Sequence, residues 1–581
     1  MPAPNPEPAA APAARGMLPW LGGLLAVGAL ALGTWGLFER ARHGEFLAFD
    51  DDHNITLNAN LGTLSGDMER WAFRDVTYAR RYMPLGWLAF STLVTARGFD
   101  AAWFHTTSLV LHIANGILLA WLLRRLGGNK GDTRAWSPWA VAIPVAWWLW
   151  HPLRVEPVAW ASSLLYVLAT TWMLLSALAF CTGLERGRAW HWLALVAYGF
   201  SLLTYGVWLG APVALAALAY GLDSRRTTGT PSAWRATARL SWPFFALAAA
   251  ILVVNLLARG EAAAQWGRAV PWQGAAIGLA GLRSLATLGW FLVKMVWPVH
   301  LTPTDDIWVG GTLAPLPLAI GLGALALATA AAAGLARRFG VAPLLFLATF
   351  VAVELPVTGL TEKNFPLADR YTYGGQIVVA AALAAGLART SDRWSLPLRL
   401  ALSGLTVAGA WRAWRQVAVW HDNDTLFAHI ATTARHDETR WFYRERGLGI
   451  DLGMGKLAEV EAAIAGGAVP SPSEGFRLML TDARRLQAET EKSGSVTCIV
   501  AVAHHELGRA AWRRGDTGIG LAHLARAVQL APRDWPAWAD YATLLKATGQ
   551  HAEAEQILNV IPDTGPPAAV HRTLEQLLRR P

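Results

Sequence analysis

Apolar and polar positions alternate along this chain in long blocks. Apolar runs fall at 17–38, 103–123, 137–150, 157–182, 189–205, 207–222, 240–258, 311–336, 340–356, 373–388 and 396–413. A helix crossing a hydrocarbon layer needs about 20 such residues, so the pattern predicts an all-α polytopic domain over 17–414 with about eleven spans. The run at 274–297 is ambiguous, and the orientation of its neighbours predicts a re-entrant or interfacial hairpin there. Residues 39–100 are polar enough for a long extramembrane loop, with Tyr78 to Trp87 lying along the interface. Residues 1–16, rich in Ala and Pro, are expected to be disordered.

From 415 the pattern turns soluble, and a repeat emerges. Leu507-Gly508, Gly515, Ala527 and Pro532 sit at tetratricopeptide spacing; a shift of 34 residues brings up Tyr541-Ala542, Gly549 and Ile561-Pro562. Small residues at those offsets let paired helices pack closely. About three units are needed for a stable stack, so 421–496 is expected to supply degenerate helical pairs and a cap, with a loop at 466–475. The domain prediction is therefore a tail at 1–16, a membrane domain at 17–414 and an α-solenoid at 415–581.

Composition agrees with this partition. Of 581 residues, 54% are hydrophobic and 16% charged, outside the usual range of soluble domains. The 31 Trp suit the bilayer interface, where an indole buries its ring and keeps its N–H wet. A net charge of +9 raises the question of nucleic acid, but the basic residues come as short clusters between apolar runs (Arg124-Arg125, Arg225-Arg226, Arg337-Arg338). That is a topogenic pattern, and it excludes a nucleic-acid role. Placing these clusters in the cytoplasm puts the 39–100 loop, the turn at 151–157, the loop at 359–373 and the repeats outside, as in a bacterial-type inner membrane with a periplasmic repeat domain. Only Cys181 and Cys498 are present, which excludes a disulfide framework.

Three polar segments carry candidate chemistry. Asp50, Asp51 and Asp52, with His53, follow directly on the first span. A carboxylate at a water-poor surface beside like charges has a raised pKa and suits a general base; a solvated turn capping a helix from Asn54 explains the same residues. His151, Arg154 and Glu156 are pinned between Pro152 and Pro157. Glu362, Lys363, Asp369, Arg370, Tyr371 and Tyr373 form the third set, in which Arg370 offers a planar fork for phosphate and Asp369 its ion-pair partner. His105, His112 and Asn115 share a helix face and read as buried contacts between helices. Lys294, His300, Asp305 and Asp306 form a further polar patch. No Walker loop, dinucleotide fingerprint, Gly-x-Ser-x-Gly elbow or zinc-protease helix is present.

The order of these motifs resembles the transmembrane and tetratricopeptide-repeat-containing O-mannosyltransferases of the C-type glycosyltransferase superfamily. The resemblance rests on the Asp-Asp loop, Tyr82-x-Pro84-Leu85, His105 with His112, His151-Pro152-x-x-x-Glu156-x-Val158-Ala159-Trp160, Trp297-Pro298-x-x-Leu301, Asp369-Arg370-Tyr371-x-Tyr373, Trp420 with Asp424-Thr425-Leu426-Phe427, and the repeats. It implies transfer of a sugar from a polyprenyl-phosphate carrier to a Ser or Thr hydroxyl of a protein acceptor engaged by the repeats. It places Asp51 or Asp52 as the catalytic base and Arg370, His151, Arg154 and Arg81 at the donor phosphate. Glu156, His53, Asp369 and Tyr373 then line the pocket. A divalent ion on Asp51 and Asp52 stays open; no other cofactor is implied. Where the family carries basic residues this chain has Met83, Leu164-Leu165 and Thr204-Tyr205-Gly206, leaving Arg80 and Arg81 to compensate. Two other readings remain: a non-catalytic membrane-anchored scaffold for protein assembly, and transfer to a glycan or lipid.

Overall fold

The computed structural model describes residues 14–76, 78, 81–128, 136–223, 231–265, 274–308, 314–360, 367–390, 392–493 and 498–560. Arg80, Arg225, Arg226, Glu362, Lys363, Ile561 and Pro562 fall outside the described residues, as does most of the N-terminal tail. The protein is an all-α, multi-pass membrane protein followed by a helical solenoid; among the described residues there is no β-strand.

Five of the described helices are long and apolar enough to cross a bilayer: Ala101–Leu126, Ala161–Arg186, Arg235–Gly260, Ile277–Val296 and Pro315–Phe339. Pro138–Leu149, Ala211–Leu222 and Ala342–Val357 are apolar but shorter. Proline opens several helices in the first turn, where its missing N–H costs nothing: Pro84, Pro138 and Pro315. Arg337 and Arg338 end the last of these, where cations complement the helix dipole.

The run at 274–297 departs from the sequence reading. It does not double back; it is one unbroken helix, Gly274–Val296. It pairs antiparallel with Pro315–Phe339, with the Trp290 indole donating to the Pro317 carbonyl at 2.8 Å and Gly289 lying against the Gly321 backbone. Its cationic and polar residues, Arg283, Ser284, Thr287 and Lys294, are buried against protein. The expectation of a hairpin comes from the orientation of the neighbouring loops, and a continuous helix here breaks the alternation on which that orientation is built.

At one end of the bundle the long loop folds into two helices, Gly66–Arg74 and Pro84–Arg97, and the soluble helices close over it. Helices Asn423–Thr433, Asp437–Gly453, Leu457–Ala465 and Glu474–Ser493 occupy the segment expected to hold degenerate pairs. Four more, Ile499–Arg513, Thr517–Leu530, Trp535–Ala547 and His551–Val560, build the repeats. Asp516, in the turn of the first repeat, accepts from the Thr63 N–H and hydroxyl, the latter at 2.8 Å. Phe99 packs against both the His504 and His523 rings, which meet each other at 3.0 Å. The Glu45 N–H donates to the His421 carbonyl, the Ala48 N–H to the Asn423 side chain, and Arg446 to the Ala48 carbonyl. The acidic loop is therefore held from both the membrane bundle and the solenoid.

A Cβ at Gly289 would collide with the Gly321 carbonyl. Gly289→Val is expected to destabilise the protein by about 1–3 kcal/mol through overpacking, read as a lower thermal unfolding midpoint in detergent. An unchanged midpoint would show that the two helices separate freely.

Candidate active site

The three consecutive aspartates diverge. Asp51 is fully buried. One of its carboxylate oxygens accepts from the Leu47 N–H at 2.9 Å, and the other accepts from the Ser162 N–H at 2.8 Å and the Ser162 hydroxyl at 2.6 Å. These bonds tie the acidic loop to the turn after the His-Pro hinge. Asp52 is half-buried, with one carboxylate oxygen shielded from solvent and unpartnered. Asp50 keeps surface in contact with solvent although protein encloses much of it, and burial raises its carboxyl above the usual range against the pull of Arg370, Arg446 and Arg81. Its φ of 135° lies in the region that favours glycine, a strain of about 1–3 kcal/mol that surrounding structure must hold in place. The capping role for these aspartates is not seen: the turn at Asp52–Thr56 has Asp51 before it, with no side-chain cap. His53 is exposed and stacks on Tyr78, ring centroids 4.7 Å apart, while the Tyr78 hydroxyl donates to the His53 carbonyl.

The hinge residues face inward. The His151 imidazole meets the Met295 carbonyl with one nitrogen and accepts from the Leu153 N–H with the other; burial pushes it down to about 3, so it is neutral at physiological pH. Arg154 is fully buried, donates to the Thr372 hydroxyl at 2.6 Å and lies over the Tyr373 ring at 4.9 Å. Both serve packing between segments, and neither has a free approach to a lipid phosphate in this conformation. Tyr373 is buried too: its hydroxyl meets the His112 imidazole at 2.8 Å, and the Asn115 amide donates to it at 3.3 Å. His112 and Asn115 are thus the interhelical contacts that the sequence suggested.

Arg370 stands at the cleft. Its ion-pair partner is Glu156, not Asp369: the Glu156 carboxylate accepts from the Arg370 backbone N–H at 2.8 Å and pairs with its guanidinium. The guanidinium also lies over the Trp160 ring at 4.9 Å and the Tyr371 ring at 4.7 Å. Asp369 turns the other way, to Lys294 at 2.6 Å. Arg370 and Tyr371, with Tyr166, Thr170, Val207, Trp208, Val353 and the edge of Tyr373, line a narrow crevice of about 10 Å³, room for about one water. Arg81 donates to the Tyr205 hydroxyl and lies over that ring at 5.3 Å, and Tyr205 packs on Tyr166 with centroids 4.7 Å apart.

The structure thus brings Asp50 within electrostatic reach of Arg370, Arg81 and Arg446, with Glu156 paired to Arg370. It places Asp51, His151, Arg154, Asp369 and Tyr373 in the supporting layer. The sequence reading missed Tyr166, Tyr205, Tyr443 and Arg446. Arg446 and Tyr443 arrive on the Asp437–Gly453 helix, hundreds of residues from the loop they touch, and no local motif announces such a contact. The residues present do not fit a divalent cation on Asp51 and Asp52. Asp51 spends its oxygens on N–H and O–H donors, and among the described residues no group of three or more His, Cys, Asp or Glu could hold a metal.

Burial pushes Asp51 up from 3.8 to about 7. A carboxyl whose folded value is raised destabilises the fold once the unfolded chain ionises, so stability is greatest below about pH 4 and this contribution is lost as pH rises toward 7. Asp51→Asn should therefore flatten the fall in unfolding midpoint across that window relative to the unsubstituted protein. Parallel curves would show that Asp51 is ionised throughout.

A family model described as a tetratricopeptide repeat matches residues 511–577. No curated protein matches the chain. Among solved structures, the crystal structure of ArnT from Cupriavidus metallidurans bound to undecaprenyl phosphate is similar over 96% of this chain and 85% of that one, at 14% identity and a TM-score of 0.35.

Proposed function

We propose that this protein is a C-type membrane glycosyltransferase that moves a sugar from a polyprenyl-phosphate carrier to a hydroxyl, with a Ser or Thr of a protein as acceptor. The observation that carries the reading is that Asp50 lies within electrostatic reach of Arg370 and Arg81, which come from segments far apart in sequence. An acid with two guanidiniums in electrostatic reach supplies what inverting transfer requires. The carboxylate takes the acceptor's proton as the acceptor oxygen bonds to the anomeric carbon. The bond from that carbon to the phosphate oxygen breaks, and the phosphate leaves with the electron pair, stabilised by guanidinium.

Asp51 is spent as a structural tie, so the base role moves to Asp50, with Asp52 as its neighbour. Arg370 is oriented for the phosphate by Glu156 and the two rings, and Arg81, bonded to Tyr205, supplies a second cation. Loop, cleft and repeats lie at one end of the bundle, which we assign to the periplasmic side of a bacterial-type inner membrane. The solenoid is the natural platform for the protein acceptor.

A second reading, a non-catalytic scaffold, draws on the same Glu156, which neutralises part of the Arg370 charge. Transfer from a radiolabelled polyprenyl-phosphate sugar to membrane proteins separates the two. Asp50→Asn and Arg370→Lys are each expected to lower the rate by about 10²-fold or more. Asp50→Gly should abolish transfer while raising the unfolding midpoint, because glycine relieves the positive φ. Wild-type rates in Asp50→Asn and Arg370→Lys would remove the roles given to these two residues, and no transfer by the unsubstituted protein would remove the enzyme reading.

A further inference from the structure

Behind Arg370 lies a chain of charges that the proposed chemistry does not use. Lys294 is 4% exposed, and its ammonium is 2.6 Å from Asp369 and 3.6 Å from Asp305. Asp305 is also buried; it receives the Arg435 guanidinium at 2.8 Å. Burial pulls the Asp305 carboxyl upward, but Lys294 and Arg435 together hold it below the usual value. Its backbone pairs with Leu367 in both directions, at 3.2 and 3.0 Å, two residues before Asp369. Next to it, Asp306 accepts from the backbone N–H groups of Arg435 and His436, each at 3.0 Å, where the Asp437–Gly453 helix begins.

We propose that Lys294 is a positioning residue for Arg370, and that through Asp305 it couples the seating of the soluble helices, by way of Arg435, to the phosphate side of the cleft. The inference rests on the functional reading above and deepens it. Two buried carboxylates face one buried ammonium, and the fourth charge comes from the soluble segment. Taking that segment's guanidinium away leaves the buried set one positive charge short, a state that favours rearrangement over a static defect. The segment whose hold is loosened by that loss is 367–370, because Leu367 and Asp369 anchor it to Asp305 and Lys294 and Arg370 is the next residue. The same Asp437–Gly453 helix sends Arg446 to the acidic loop, so both sides of the cleft report on its position. A protein acceptor bound by the solenoid thereby acts on the phosphate side of the site as well as presenting its hydroxyl.

Arg435 is partly exposed, so Arg435→Gln is compatible with folding. In the full chain in detergent, hydrogen exchange of amides 367–373 is expected to speed up by about tenfold in Arg435→Gln. Arg435→Lys should restore much of the protection, and the surface control Arg485→Gln should leave it unchanged. Arg435→Gln and Lys294→Met should be non-additive in a double-mutant cycle on the same amides. In the transfer assay Arg435→Gln is expected to lower kcat with little change in KM for the lipid donor. Unchanged exchange at 367–373 in Arg435→Gln, or additive effects in the cycle, would overturn the coupling. The exchange arm does not depend on activity: altered exchange in a chain that transfers no sugar keeps the coupling and removes the enzyme reading instead.

Discussion

The pairing of Glu156 with Arg370 sets the geometry on which the site depends. Glu156 is almost wholly buried, and a buried carboxylate is tolerated only when its charge and its lone pairs are matched. Both needs are met by one residue, through a backbone N–H and a guanidinium. The hinge at 151–160 and the loop at 367–374 are locked together as a result, and the aromatic faces of Trp160 and Tyr371 confine the guanidinium further. A guanidinium held this way loses little freedom on meeting a phosphate, which is the condition for electrostatic stabilisation that costs no reorganisation.

Opposite this pair the acidic loop is positioned by a different means. Asp51 is sacrificed to the fold: its carboxylate ties the loop to Ser162, directly after the same hinge. Beside the fixed Asp51, Asp50 is exposed and holds a positive φ, while Asp52 is half-buried. The soluble helices complete the enclosure through Arg446 and Asn423. One rigid hinge thus carries both the acid and the cation, while the repeats hold the outer wall.

Much of the fold was legible in the amino-acid sequence because apolar length and the 34-residue period are local signals. The Gly274–Val296 helix was not, since the hairpin expected there comes from counting basic loops on alternate sides, and that count does not see a helix whose Arg283 and Lys294 are buried against protein. The three polar segments of the site were visible as clusters, but the division of labour inside each was not. Nothing in Asp50-Asp51-Asp52 says which carboxylate will be buried, because the donors come from Leu47 and Ser162. Nothing in Asp369-Arg370 says that the two part company, because Lys294 and Glu156 lie far off in sequence and settle the matter by proximity. Pairings across such distances are set by tertiary packing, which one sequence does not display.

The central claim is that a lipid-linked phosphate is seated against Arg370, across the cleft from Asp50. Its most direct test is a structure of the full chain in lipid nanodiscs with a polyprenyl phosphate. The account predicts phosphate density within about 3 Å of the Arg370 guanidinium, with Asp50 facing the same space. Density lodged elsewhere on the bundle, with the Glu156–Arg370 pair closed and the cleft empty, would contradict it.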